Sequence, residues 1–178
     1  MTQYYAYRRF RLDRAPTNTR ILITCFYVMI LIAVTVGVVN YKVRTGLTPV
    51  GTEQYYRGNE GVENATEMRF EKTTLELLDV THPHLFEQTI FMFVLCHLFG
   101  LTKVRERRKR WVYIAAFGSV LLDASMPWLV TFVSPAFAPV HVVSSILLAS
   151  MFLILMGRPF HEMWFGYDKE EHYDWVQG

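Results

Sequence analysis

Six side chains able to bind a metal or move a proton stand in or beside apolar stretches of this sequence: His82, His84, Glu87, His97, Asp123 and His141. Such groups are rare in a bilayer, because an ionised side chain at its centre costs roughly 3 kcal/mol on insertion scales unless it is paired or wet. His84, Glu87 and Gln88 are three and four residues apart, so on a helix they share one face. His97 lies about 20 Å further along that axis and is turned by roughly 140° from His84. His141 belongs to a different apolar stretch but has a comparable depth. His84 and Glu87 fall within about 5 Å of a membrane boundary and His141 at about 7 Å from the same one.

That shared depth predicts one layer of a helical bundle holding His82, His84, Glu87 and His141. Two imidazoles from facing helices, drawn from His82, His84 and His141, suit a haem b. The mixed set His84, Glu87 and His141 suits copper, iron or zinc. The same residues also suit interfacial histidines bonded to headgroups, water or Glu87, and Glu87 can equally pass a proton or orient His84. His97 is thirteen residues from His84 and fifteen from His82, which misses the helical face that two stacked haems would need. It remains a candidate for proton handling, as does Asp123, roughly 18 Å along its helix from Trp111. Asp123 is expected to face the bundle and find a partner, with Ser119 or Ser125 nearby, in either a structural or a proton-handling role.

The elements that must position these residues are membrane spans. Of the 178 residues, 52% are hydrophobic and 15% aromatic, gathered in blocks long enough to cross a bilayer. The expected order is a basic segment 1–20, a first span 21–41 and an extracytoplasmic segment 42–83. A second span 84–101, a basic loop 102–110, a third span 111–133, a fourth span 136–156 and an acidic, aromatic tail 157–178 follow. Pro83 reads as the start of the second span, since proline suits the first helical turn. Phe70, Thr74, Leu77 and Leu78 share one helical face, so Ala65–Val80 reads as a short interfacial helix, with Tyr55, Tyr56 and Phe70 as anchors. The fold class is therefore all-α integral membrane: a bundle of four transmembrane helices with a short interfacial helix in the outer loop. The tail is expected to begin as a second interfacial helix.

Charge fixes the orientation. Arg8, Arg9, Arg11, Arg14 and Arg20 face one acid, Asp13, while Lys103, Arg105, Arg107, Arg108, Lys109 and Arg110 face only Glu106. By the positive-inside rule both segments are cytoplasmic, and with four spans the carboxyl terminus is too. A basic loop this short between spans sets topology and argues for no nucleic-acid partner. Cys25 and Cys96 both lie in apolar segments and read as small hydrophobes. No zinc-finger spacing, GxGxxG, Walker or GxSxG sequence is present, which leaves soluble nucleotide and acyl-transfer chemistry unsupported.

Several phrases, taken together, carry a resemblance. They are Glu76-Leu-Leu-Asp-Val-Thr-His-Pro-His-Leu-Phe86, the Leu-Leu-Asp ending at Asp123, Val-Ser-Pro-Ala-Phe-Ala ending at Ala138, and Glu162-Met163-Trp164. From Ile21 to Trp164 the chain resembles a family of small bacterial four-helix membrane proteins often mislabelled as elongation factor one alpha. The resemblance makes Thr81, His82, His84 and Asp123 the polar signature of the chain, with Glu87 and His141 as departures. It implies no defined activity, and the absence of a nucleotide-binding loop gives the translation-factor label no support. The combined expectation is a multi-pass protein of a bacterial inner membrane, in contact with lipid and with other membrane subunits. It would be a subunit of a larger respiratory or redox complex engaged in electron transport, holding a haem b, copper or iron, or else a non-catalytic accessory subunit. It is not expected to be an enzyme by itself.

Overall fold

The computed structural model describes residues 11–61 and 67–166. Helix α1 (Thr17–Thr45) ends where Gly46 turns into the left-handed region at φ 62° and returns its N–H to the Lys42 carbonyl, a closure that favours glycine. Thr48 and Pro49 then start α2 (Pro49–Arg57): the threonine hydroxyl accepts from Gly51 N–H, and the proline occupies the first turn. The turn is so tight that a Cβ on Gly51 would stand 1.9 Å from the Thr45 carbonyl oxygen.

Helix α3 (Thr74–Gly100) begins with a capping box. The Thr73 hydroxyl accepts from Glu76 N–H, while the Glu76 carboxylate accepts from Thr73 N–H. Pro83 lies inside this helix, so the helix does not start at it. The capping box ten residues earlier satisfies the first-turn donors instead, and Thr74–Val80 becomes the opening of a long helix. The Ala65–Val80 interfacial helix is corrected accordingly: Ala65 and Thr66 lie outside the described residues, and 67–73 is not helical. The short helix of this segment is α2.

Helix α4 (Glu106–Trp128) starts five residues before the expected boundary. Lys109 folds back to the Gly100 carbonyl at 2.7 Å and to Glu106 at 2.9 Å, which makes most of the basic loop helical. After Pro127 the chain widens into a π turn (Leu129–Val133), bends at Ser134–Phe137 and enters α5 (Ala138–Phe165). Helix α5 runs nine residues past Met156, so the tail opens as its continuation and not as a separate interfacial helix; 167–178 lie outside the described residues.

Two sets of contacts define the ends of the bundle. At one, Leu12 N–H reaches the Leu101 carbonyl, Lys103 pairs with Asp13 at 2.8 Å, and Lys103 N–H donates to Glu162. At the other, Trp128 Nε1 donates to Thr81, and Arg57 donates to the Val130 and Thr131 carbonyls. Helices α1, α3, α4 and α5 therefore run alternately up and down between the same two ends. Met92 and Leu95 of α3, Ala116 and Val120 of α4, and Phe152 and Leu155 of α5 form the centre, with α1 against α5.

Among the described residues three segments are long and apolar enough to cross a membrane: Thr17–Thr45, Glu106–Val133 and Pro135–Phe165. Helix α3 is of similar length, but His82, His84, Glu87, Gln88 and His97 dilute its apolar content. Large apolar side chains such as Leu22, Met29, Phe93, Leu121 and Val143 cover the outside, a distribution suited to hydrocarbon and not to water.

Candidate functional site

The polar residues that the fold brings together lie at the α2 end of the bundle, around Asp123 and His141. The short connection after α4 makes α5 its antiparallel neighbour, which sets Asp123 opposite the first turns of α5. Asp123 Oδ1 accepts from Ser145 Oγ at 2.8 Å, and Ser144 Oγ shares its single proton between that oxygen at 3.0 Å and the His141 carbonyl at 2.8 Å. His141, one turn earlier on α5 and 4% exposed, directs Nδ1 towards the same oxygen at 3.8 Å, an ion-pair separation too long for a hydrogen bond. Its Nε2 stands 3.2 Å from Tyr56 Oη of α2. Tyr41 of α1 and Tyr56 flank the imidazole, each with its ring centroid 5.4 Å away.

Burial pushes the Tyr56 hydroxyl well above the ordinary tyrosine range, so it stays protonated and donates to Nε2 when the proton of the imidazole is on Nδ1. The carboxylate of Asp123 beside Nδ1 favours that tautomer. Three further bonds hold α2 in place over the cluster. Arg57 caps the carbonyls of Val130 and Thr131 in the π turn, and Tyr41 Oη shares a 2.9 Å bond with Thr52 Oγ1. The bond between Tyr56 and Nε2 and the Asp123 carboxylate facing Nδ1 hold the imidazole between them, and the assembly ties four helices together.

The expected histidine layer does not form. His82, His84 and Glu87 are exposed on α3, as is His97, while His141 is enclosed by Tyr41, Tyr56 and Asp123. Among the described residues no three His, Cys, Asp or Glu side chains converge in a way that could hold a metal. With Nε2 engaged by Tyr56 and Nδ1 turned to a carboxylate, His141 does not fit the role of an axial haem ligand paired with His84. Equal depth was too weak a criterion, because a bundle buries only the side of each helix that meets a neighbour. Asp123 does face the bundle, but its partners are Ser144 and Ser145 of the next helix. Ser119 and Ser125 bond instead to the carbonyls of Ala116 and Leu121 on their own helix.

The sequence reading missed Tyr41, Tyr56 and Arg57 as parts of this site. Of the two adjacent tyrosines, Tyr56 turns inward to His141, and Tyr55 turns outward among Arg44, Arg69 and Lys72. A second polar knot, at the opposite end, was also unforeseen. Asp13, 4% exposed, pairs with Arg11 at 3.1 Å and Lys103 at 2.8 Å. Glu162, 3% exposed, accepts from Lys103 N–H at 2.8 Å and has Arg158 at 2.9 Å. The one available signal was that Asp13 is the lone acid among five arginines.

No curated protein and no solved structure matches the chain. A family described as a transmembrane helical domain matches residues 46–172, a region that opens at the glycine closing α1 and includes α2, α3, α4, α5 and the whole Asp123–His141 cluster except Tyr41. On that match, which takes in most of its length, the chain belongs to this family of transmembrane helical domains.

Proposed function

We propose that this protein is a four-span accessory subunit of a larger membrane assembly, with α3 as the fourth span and as the helix that meets the partner. One observation carries the reading. Asp123 of α4, Thr131 of the π turn after it, and His141 and Ser144 of α5 are turned into the bundle and bonded, whereas Glu87 and His97 of α3 are exposed. Ionisable residues inside a membrane almost always face protein or a watery cavity, so an exposed pair on one helix calls for a protein surface against it. Ile90 and Phe93 lie between them along α3, with Phe86 next to Glu87, and these would supply the apolar part of that contact.

The orientation that goes with this reading is the one set by the basic segments: both termini and the 101–105 turn in the cytoplasm of a bacterial inner membrane, and α2 outside. A respiratory or redox partner is compatible with such a subunit. A haem b, copper or iron site would then need ligands from that partner, since His82 and His84 do not meet His141 within the chain. Accessory contact is the reading that the exposed α3 favours.

The test is site-specific photocrosslinking in intact membranes, with the probe at Phe86 or Phe93 on α3 and at Met29 on α1 as the lipid-facing control. The expected result is one defined protein adduct from both α3 positions and none from Met29. Replacing Glu87 and His97 together by leucine should cut that adduct at least tenfold. Lipid adducts alone from α3 would overturn the reading.

A further inference from the structure

Outside the bundle, an open groove of about 910 Å³ lies between the end of α1, the exposed side of α2 and the extended strap 67–72. The strap is fixed by main-chain and side-chain bonds. Asn59 N–H donates to the Arg69 carbonyl and Lys72 N–H to the Tyr56 carbonyl, while Asn59 Oδ1 accepts from Arg69 N–H. Arg69 Nη1 also caps the Arg44 carbonyl, near the carboxyl end of α1, at 2.5 Å. The groove is thus preformed, and its floor is Tyr55, with three cations about its ring: Arg44 at 5.5 Å, Lys72 at 5.5 Å and Arg69 at 6.0 Å from the centroid.

Three cations around one ring repel each other, and two are offset locally: Arg69 by Glu67 at 3.3 Å and Lys72 by Glu76 at 2.8 Å. Two charges lining the groove have no ion-pair partner among the described residues: Arg44, bonded only to Asn40 Oδ1 and the Tyr55 hydroxyl, and Glu71. Arg44 lies in the last turn of α1, a span, and Val43 beside it is 76% exposed. The groove therefore opens at the depth where lipid headgroups lie. Exposed Met68 and Phe70 line its rim and offer apolar contact for a glycerol backbone.

We propose that this groove binds the headgroup of an aminophospholipid, a phosphodiester linked to a primary ammonium. The phosphate lies against Arg44 and Lys72, and the ammonium donates to Glu71. A guanidinium and an ammonium give charge-assisted bonds to phosphate oxygens, and the leftover charge of each sign matches a zwitterion. A quaternary ammonium could not hydrogen-bond Glu71, and an anionic glycerol headgroup would leave Glu71 facing like charge. The site thus ranks phosphatidylethanolamine above phosphatidylcholine and phosphatidylglycerol.

The full chain in nanodiscs holding the three lipids at equal mole fraction, released and weighed by native mass spectrometry, tests this. Expected is at least tenfold retention of phosphatidylethanolamine over phosphatidylglycerol. Arg44→Gln should abolish it, and Glu71→Gln should keep a bound phospholipid but level the two headgroups, both variants melting like the parent. Equal retention by the parent, or unchanged preference in both variants, would overturn the proposal. Displacement of the bound lipid by soluble phosphoethanolamine at matching concentration would overturn the lipid as the source of that chemistry.

Discussion

Ser145 Oγ on α5 lies 2.8 Å from Asp123 Oδ1 on α4, and that single bond is the tightest of those that close the α2 end of the bundle around a carboxylate. In hydrocarbon there is no water to satisfy an aspartate, so its partners must come from the neighbouring helix. Ser144 and Ser145 are adjacent residues that both reach the same oxygen, which fixes the rotation of α5 about its axis as well as its distance from α4. His141 is carried by the same turns, and its far nitrogen meets Tyr56, so the register of α5 also bears on where α2 sits.

The capping box of α3 has a titration signature. Hydrogen bonds from Lys72, from Thr73 N–H and from the Thr73 hydroxyl hold the Glu76 carboxyl down from 4.5 to about 2. Because its folded value lies below its unfolded one, its contribution to the start of α3 is complete above pH 4.5 and fades as the pH falls towards 2. A carbon-detected NMR titration of the Glu76 carboxyl should give a midpoint near 2, and Lys72→Gln should raise it. A midpoint at 4.5 in the parent protein would show that the box does not form.

The sequence made the spans legible because hydropathy is a property of composition: the expected 21–41, 111–133 and 136–156 fall within the three helices apolar enough to cross a membrane. Helix ends were less legible. Pro83 has the right chemistry for a first turn, yet Thr73 and Glu76 do that work together, and at the tenth residue the proline leaves the long helix short of one backbone donor. The site was least legible of all. Depth along an axis can be counted from the sequence, but the facing of His84 depends on which side of α3 meets α4 and α5. Tyr56 became part of the cluster only because Arg57 and the tight Gly51 turn fold α2 across the bundle end.

Orientation is open to direct labelling. With Cys25 and Cys96 replaced, single cysteines at Glu60 and Ser134 should react in intact cells with a membrane-impermeant maleimide. One at the exposed Arg107 should react only after permeabilisation. Glu60 and Ser134 belong to the α2 end and Arg107 to the Asp13–Lys103 end, so the two sets must differ whichever way the bundle lies. Reaction at Arg107 in intact cells would reverse the orientation proposed from the basic segments.

At Asp123, structural and proton-handling roles predict different outcomes for one substitution. Asparagine keeps an oxygen that can accept from both Ser144 and Ser145, so Asp123→Asn should leave the bundle assembled and lower its stability by about 1 kcal/mol. Asp123→Leu removes the acceptor and frees Ser145 to turn to its own helix, where Ser144 already bonds the His141 carbonyl at 2.8 Å. It should cost more than the asparagine change and also loosen α2, seen as faster protease cleavage near Arg57. A proton-handling aspartate would instead give an Asn variant that assembles normally in its host complex but abolishes that complex's activity. The structural outcome is the expected one. The groups that run from Tyr56 through His141 end at Asp123, and His97, further towards the Asp13–Lys103 end, is exposed on α3 and is not bonded to it. Thermal melting of the three proteins in detergent, with the activity of the proposed host complex measured in membranes carrying each of them, separates the two roles.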